Sequence, residues 1–228
     1  MLWLYLTLLA YLINALVFVV DKYLLVTRIP RPFAYAFWVA MLSVFAVLLI
    51  PFGVAMQSVG YLTLALISGG SFFVALVFLY KAIKESDISV ASTMSGVATA
   101  VFTYFFAVTL IGDPSGLMNI IAIVVLVAGM VFLGQTGKKV WPLALWAGLF
   151  FAVSFILLKL SFDRSNFING LFWTRMGFVG TALLSLAFKP FRYEILSSIQ
   201  SVVSPRSGMI FIANKILAAA GFLTLYYA

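Results

Sequence analysis

A chain of 228 residues that is 65% hydrophobic and only 9% charged cannot cover a water-exposed globule, since soluble domains carry about 25% charged residues. Its solvent must be mostly hydrocarbon, which points to an all-α integral membrane protein. The formal charge of +8 comes from 14 Lys+Arg against 6 Asp+Glu, and the bases fall mainly in short connections where they set orientation and meet anionic headgroups, so the partner is the lipid bilayer and not nucleic acid.

A membrane span needs about 20 mostly apolar residues. Eight stretches qualify: 2–24, 33–51, 61–82, 88–111, 117–134, 143–161, 168–188 and 208–228. The first lacks the basic start and small-residue cleavage site of a signal peptide and reads as a retained helix. Along it Tyr11, Asn14 and Phe18 share a face that continues to Asp21 and Lys22. Asn14 lies deep in the span, where an unpaired amide is costly, so it either bonds a neighbouring helix or touches solute. The third stretch ends in a hairpin turn holding Lys81, Lys84, Glu85 and Asp87, with the bases placed to close a helix C-terminus and Asp87 or Ser89 to cap the next helix.

In the fourth stretch Ser92, Gly96 and Ala100 form a smooth stripe that would let helix backbones approach. Beside it Ser95, Thr99 and Thr103 form a hydroxyl stripe running down to Tyr104. This is either the polar wall of a substrate cavity or a set of hydroxyls each bonded to the carbonyl one turn back. Lys159, Arg175 and Lys215 lie inside apolar stretches. Such a residue costs about 2.5–3.5 kcal/mol at mid-membrane. Lys159, about one turn from its helix end, reads as snorkelling to the headgroups. Arg175 and Lys215 are deeper and read as facing an aqueous cavity, with Asn214 helping to hold Lys215; cations there would suit a carboxylate- or phosphate-bearing solute. Tyr80 and Trp173 are candidates for stacking on that solute, although most aromatics near span ends read as interfacial belt.

All seven prolines fall between or at the edges of the eight stretches, which supports the boundaries independently of hydropathy. The connections also alternate. The first, third, fifth and seventh hold Arg28 and Arg31; Lys81 and Lys84; Lys138 and Lys139; and Lys189, Arg192 and Arg206, whereas the even ones hold only Arg164. The odd connections should therefore face the cytoplasm and the N-terminus the outside. A weak internal repeat runs through the chain. Lys22 lies on Lys159, Phe37-Trp38 on Phe172-Trp173, Pro51-Phe52 on Pro190-Phe191 and Leu79-Tyr80 on Leu225-Tyr226, at separations that grow from 135–137 to 146 residues. The unit holds five helices, an odd number, so the second copy is inverted, as in secondary transporters. The copies divide the chain into 1–135 and 136–228, the second stopping after its third helix.

The run from Ser68 to Gly134 resembles the closing three helices of an EamA-type domain of the drug/metabolite transporter superfamily. The similarity lies in the "YKAIK" helix end, the short charged turn with Ser89, the small-residue helix, the Gly112-Asp113 turn and the closing Ala128-Gly129 helix. FWTRMGFVGTALL is similar to the family's second helix with its early Arg, here Arg175, and ANKILAAAGFLTLYYA to its third. The first copy departs from this pattern, with Ala40 or nearby apolar residues in place of the Arg. The resemblance implies a carrier of ten helices in two inverted repeats, moving small polar metabolites such as amino acids across the inner (plasma) membrane. It also implies cytoplasmic termini, against the charge bias. About fifty further residues, by analogy with 82–134, or a partner chain such as a second copy, would complete the second repeat.

Proton coupling needs an intramembrane acid or His, and only Asp21 comes near, so a facilitator or exchanger is at least as expected as a proton symporter. The alternatives are a non-transporting scaffold or inactive fragment, and a membrane-embedded transferase. With no Cys, no His and six acids nearly all in turns, no nucleophile–base pair, metal cluster or cofactor site is legible, so an enzyme is not expected.

Overall fold

A computed structural model describes residues 2–112, 114, 116–134 and 139–227, and among these the chain is helical with no strand. In order come α1 (Leu2–Thr27), α2 (Pro32–Leu42) continuing as a 3₁₀ stretch (Ser43–Phe52), and α3 (Val59–Glu85). Then follow α4 (Ile88–Phe106) closing on a π turn (Ala107–Ile111), α5 (Leu117–Gly134), α6 (Trp141–Phe162), α7 (Phe167–Ser185), α8 (Lys189–Val203) and α9 (Pro205–Tyr227). Five segments are long and apolar enough to cross a bilayer: Trp3–Thr27, Pro32–Phe52, Val59–Glu85, Ile88–Ile111 and Trp141–Phe162. The pair α7–α8, bent by 102°, makes a sixth if taken as one span, and Leu117–Leu133 is a shorter apolar helix. Large apolar side chains such as Leu12, Leu48, Phe132 and Leu184 point outward, as they should where lipid is the solvent. The chain is thus an all-helical protein of multi-pass membrane type.

Several prolines act as helix starts. Pro32, Pro142 and Pro190 occupy first-turn positions, where the missing N–H has no intrahelical partner to lose. Gly53, at φ 99°, ends the 3₁₀ stretch in the left-handed region that other residues avoid. The seventh connection differs from its sequence reading: most of it is helix α8, lying across the bundle end. Ile195 and Ser198 face inward while Tyr193, Leu196 and Val203 face out, so a period of 3.6 was present there without enough apolar length for a span.

Contacts sort the connections into two ends. Lys84 Nζ donates to the Pro30 carbonyl at 2.6 Å, Arg31 donates to the Glu194 carbonyl at 3.4 Å, and Phe33 stacks on Phe191 at 4.1 Å, which gathers the first, third and seventh connections. At the other end of the bundle, Ala55 N donates to Asn169 Oδ1 at 2.9 Å and Trp173 Nε1 to the Ala55 carbonyl at 3.2 Å, joining the second connection to the start of α7. Lys138 and Asp113 lie outside the described residues. The expected cap at Asp87 is placed but not made: Asp87 has N-cap geometry with no side-chain bond. The carbonyls closing α3 are met instead by Lys22 of α1, whose Nζ reaches Ile83 O at 2.6 Å, Ser86 O at 2.8 Å and Lys84 O at 3.3 Å. Lys81 stands over the Phe78 ring.

The bundle centres on α3, which packs against α6 and α7, while α4 packs on α6 and α1 on α9. Two seams are antiparallel, and in each a buried side chain donates to a backbone carbonyl of the facing helix. Ser68 Oγ donates to the Ser154 carbonyl at 2.8 Å between α3 and α6, and Asn214 Nδ2 donates to the Val17 carbonyl at 3.3 Å between α9 and α1. Glycines set the closest approaches. A Cβ at Gly69 would collide with the Thr174 carbonyl and Phe178 N of α7, and one at Gly148 with Ala98 and Thr99 of α4. The stripe expected to serve this purpose does not: nothing lies within 4 Å of a Cβ at Gly96.

Gly69→Leu and Gly148→Leu should each lower stability by about 1–3 kcal/mol or more through overpacking against backbone. Gly96→Leu should be neutral or slightly stabilising, because its site is open and Leu favours helix. Thermal melts of the three variants in detergent check this; equal losses at all three positions would refute it.

Candidate functional site

Asp21 and Val17 lie one turn apart on α1, so the carboxylate and the Val17 carbonyl share one face. Because α9 runs antiparallel to α1, Asn214 and Lys215 come level with that face. Asp21 Oδ1 accepts three bonds: from Lys215 Nζ at 2.6 Å, from Asn214 Nδ2 at 2.5 Å, and from Tyr35 Oη in the first turn of α2 at 2.6 Å. Lys215 Nζ also reaches Tyr80 Oη of α3 at 3.4 Å. The pair is sealed, with side-chain exposures of 1% for Asp21 and 8% for Lys215. Four helices thus meet at the ion pair.

The ammonium is framed by three rings: Tyr35 at 5.1 Å, Tyr80 at 5.5 Å and Phe211 at 5.9 Å from Nζ to centroid. Tyr35 meets Tyr80 and Phe211 edge-on, at 4.8 and 5.2 Å, which fixes its ring between them. Electron-rich faces attract a desolvated cation, by about 2 kcal/mol each in favourable cases. Asn214 is oriented by its own bonds, because both neighbours of its Nδ2 are acceptors. Its Oδ1 therefore points elsewhere, is buried, and has no donor among the described residues. In chemical terms the arrangement is a fixed negative charge, a hydroxyl and three aromatic walls around one alkylammonium group.

Of the residues singled out from sequence, the fold brings together Tyr80, Asn214 and Lys215. Tyr80 is 3% exposed and belongs to the site, not to an interfacial belt. Lys215, expected from sequence to face an anionic solute, is instead paired in this structure with Asp21 across 194 residues of sequence. Arg175 stands apart. Its guanidinium lies 5.8 Å from the Phe72 centroid and 5.7 Å from that of Phe222, beside a narrow crevice between α3, α6 and α7 lined by Gly69, Ser154, Leu158 and Thr174. Phe222 is seven residues beyond Lys215 on α9, about 10 Å along the axis, so the two cations do not share a pocket. Lys159 is exposed in the last turn of α6.

Asn14 faces α9, its Oδ1 beside Gly221. Trp173 is used in holding the second connection. On α4, Thr99 Oγ1 bonds the Ser95 carbonyl one turn back at 2.7 Å, the local alternative to cavity lining. Ser95 Oγ and Thr103 Oγ1 are buried without partners, away from the Asp21 cluster. Sequence reasoning missed Asp21, Tyr35 and Phe211 as site residues. The available signal was that Asp21 is the lone acid within an apolar stretch, and a buried acid requires a buried cation. No family model, curated protein or solved structure matches the chain.

Breaking one partner of the pair strands a buried charge. Asp21→Asn should cost about 3–5 kcal/mol of stability, Tyr35→Phe about 1.5–3 kcal/mol for the lost bond to a charged group. The double variant Asp21→Asn/Lys215→Met should recover most of the loss. Thermal unfolding in detergent reads all three, and a double variant no better than Asp21→Asn alone contradicts the pairing.

Proposed function

We propose that the chain is a secondary carrier of small polar metabolites, of the EamA type in the drug/metabolite transporter superfamily, working by alternating access at the meeting of two inverted repeats in the plasma (inner) membrane. The observation that carries the reading is the sealed polar cluster around Asp21, placed where α1, α2, α3 and α9 meet in an otherwise apolar bundle. Intramembrane charge is expensive, and in membrane proteins it marks solute and ion pathways by default.

Support for the repeat comes from the two antiparallel seams. The offset of 146 residues at Leu79-Tyr80 lays Ser68 on Asn214, and the offset of 137 at Lys22 lays Val17 on Ser154. The bond from Ser68 to the Ser154 carbonyl thus has the bond from Asn214 to the Val17 carbonyl as its counterpart. The pairs α3–α6 and α9–α1 exchange under the same alignment. On this reading α5, α7 and α9 are also spans, giving eight in this chain, and α8 rests at headgroup level on the basic, cytoplasmic side.

Two measurements test the proposal. Lys22→Cys and Lys159→Cys, labelled with an impermeant reagent in oriented membranes, should react from opposite sides; labelling from one side would remove the inverted repeat. Purified protein in vesicles should take up a solute from a screen of amino acids, amines and related metabolites. Uptake should fall at least to about a tenth in Asp21→Asn, since a lost buried charge contact is worth 1.4 kcal/mol or more. No uptake of any solute by the wild type would leave the scaffold reading in its place.

A further inference from the structure

We propose that the Asp21–Lys215 pair is a self-occupied amine site, in which a small cationic amine binds by displacing the Lys215 head from the cage of Asp21, Tyr35, Tyr80 and Phe211. The inference rests on the carrier reading and names its solute class.

The surroundings of Lys215 Nζ are the first argument. A carboxylate at 2.6 Å, a hydroxyl at 3.4 Å and three rings at 5.1–5.9 Å are what recognition of a free alkylammonium group requires. The rings come from three different helices, and only Phe211, one turn from Lys215, is on α9, so Tyr35 and Tyr80 make the cage a product of the tertiary fold. The second argument is charge. Replacing one ammonium by another leaves the net charge beside Asp21 unchanged, whereas an anion would meet a buried carboxylate and repulsion that the low dielectric magnifies. The third is Asn214 Oδ1, an acceptor on a residue only 3% exposed that has no donor. A buried acceptor in that state costs about 1–3 kcal/mol. It adjoins the Nδ2 that bonds Asp21, so rearrangement of the pair on amine binding is also a chance for this acceptor to gain a donor.

Displacement also has a mechanical consequence. The lysine head is a point charge on a flexible four-carbon stem, and once expelled it must reach water or headgroups. Asn214 and Lys215 are the polar contacts of α9 with α1, so freeing the head loosens that seam at the moment the amine arrives. Binding and opening become one event, which is the coupling alternating access needs.

The test is equilibrium binding of radiolabelled n-butylamine, a mimic of the lysine tip, to the purified protein in detergent. The wild type should bind it saturably, and Asp21→Asn should not. Lys215→Ala should bind about tenfold more tightly or better, because the internal competitor that lowers the apparent affinity is gone. Butyrate, of equal length and opposite charge, should not bind. Amine binding by Lys215→Ala but not by the wild type would make the lysine a fixed strut and overturn the proposal. So would butyrate binding, or no amine binding by either protein. If Lys215→Ala does not fold, the wild type is compared with Asp21→Asn/Lys215→Met; equal binding by the two overturns the proposal, and binding by the wild type alone supports it. Amine binding without uptake into vesicles would uphold this site and remove the carrier reading. Uptake of other solutes with no amine binding would do the reverse.

Discussion

The structure turns on one carboxylate in a low-dielectric interior. Asp21 is 1% exposed, and an isolated ionised group there would cost several kcal/mol. It is tolerated because Lys215, Asn214 and Tyr35 converge on the same oxygen. That demand draws α1, α2 and α9 to one point, with Tyr80 of α3 closing over the ammonium. In hydrocarbon, apolar surface gives helices little reason to prefer one partner over another. A charge that must be matched does give a reason, so the pair fixes which helices meet and in what register.

The second constraint is space. Where α3 meets α7 and α4 meets α6, the backbones touch through Gly69 and Gly148, leaving room for no side chain. Aromatic rings fill the rest: Phe72 lies 5.4 Å from both Phe151 and Phe178, bridging α3, α6 and α7. Under the proposed repeat the position of Lys215 corresponds to Gly69 and that of Asp21 to Leu158. One seam is then closed by a salt bridge, and its counterpart is left as the crevice beside Arg175.

The surface near the basic connections follows from the same accounting of polar groups. The carbonyls ending α3 need donors, and Lys22 supplies them from α1, immediately after Asp21 has turned inward. Two adjacent residues thus face opposite demands: a carboxylate sealed inside the bundle and an ammonium closing a helix end. The helical rotation of about 100° per residue makes both possible.

Much of the fold was legible in the chain itself. Apolar runs of about 20 residues, with prolines confined to their edges, located the helices because a bilayer sets their length and a proline breaks their interior. Of the basic connections, the first, third and seventh do gather at one end. Three residues of the site were also visible, since Tyr80, Asn214 and Lys215 are polar groups in apolar surroundings. The fold alone decided that Lys215 has a partner, that the partner is Asp21, and that Tyr35 and Phe211 complete the cage. It also decided that Gly148, and not Gly96, brings two helices together. The physical reason is range. Span length and charge bias are local properties that each segment carries alone. An ion pair across 194 residues, or a glycine facing another backbone, exists only once helix rotation and register are set.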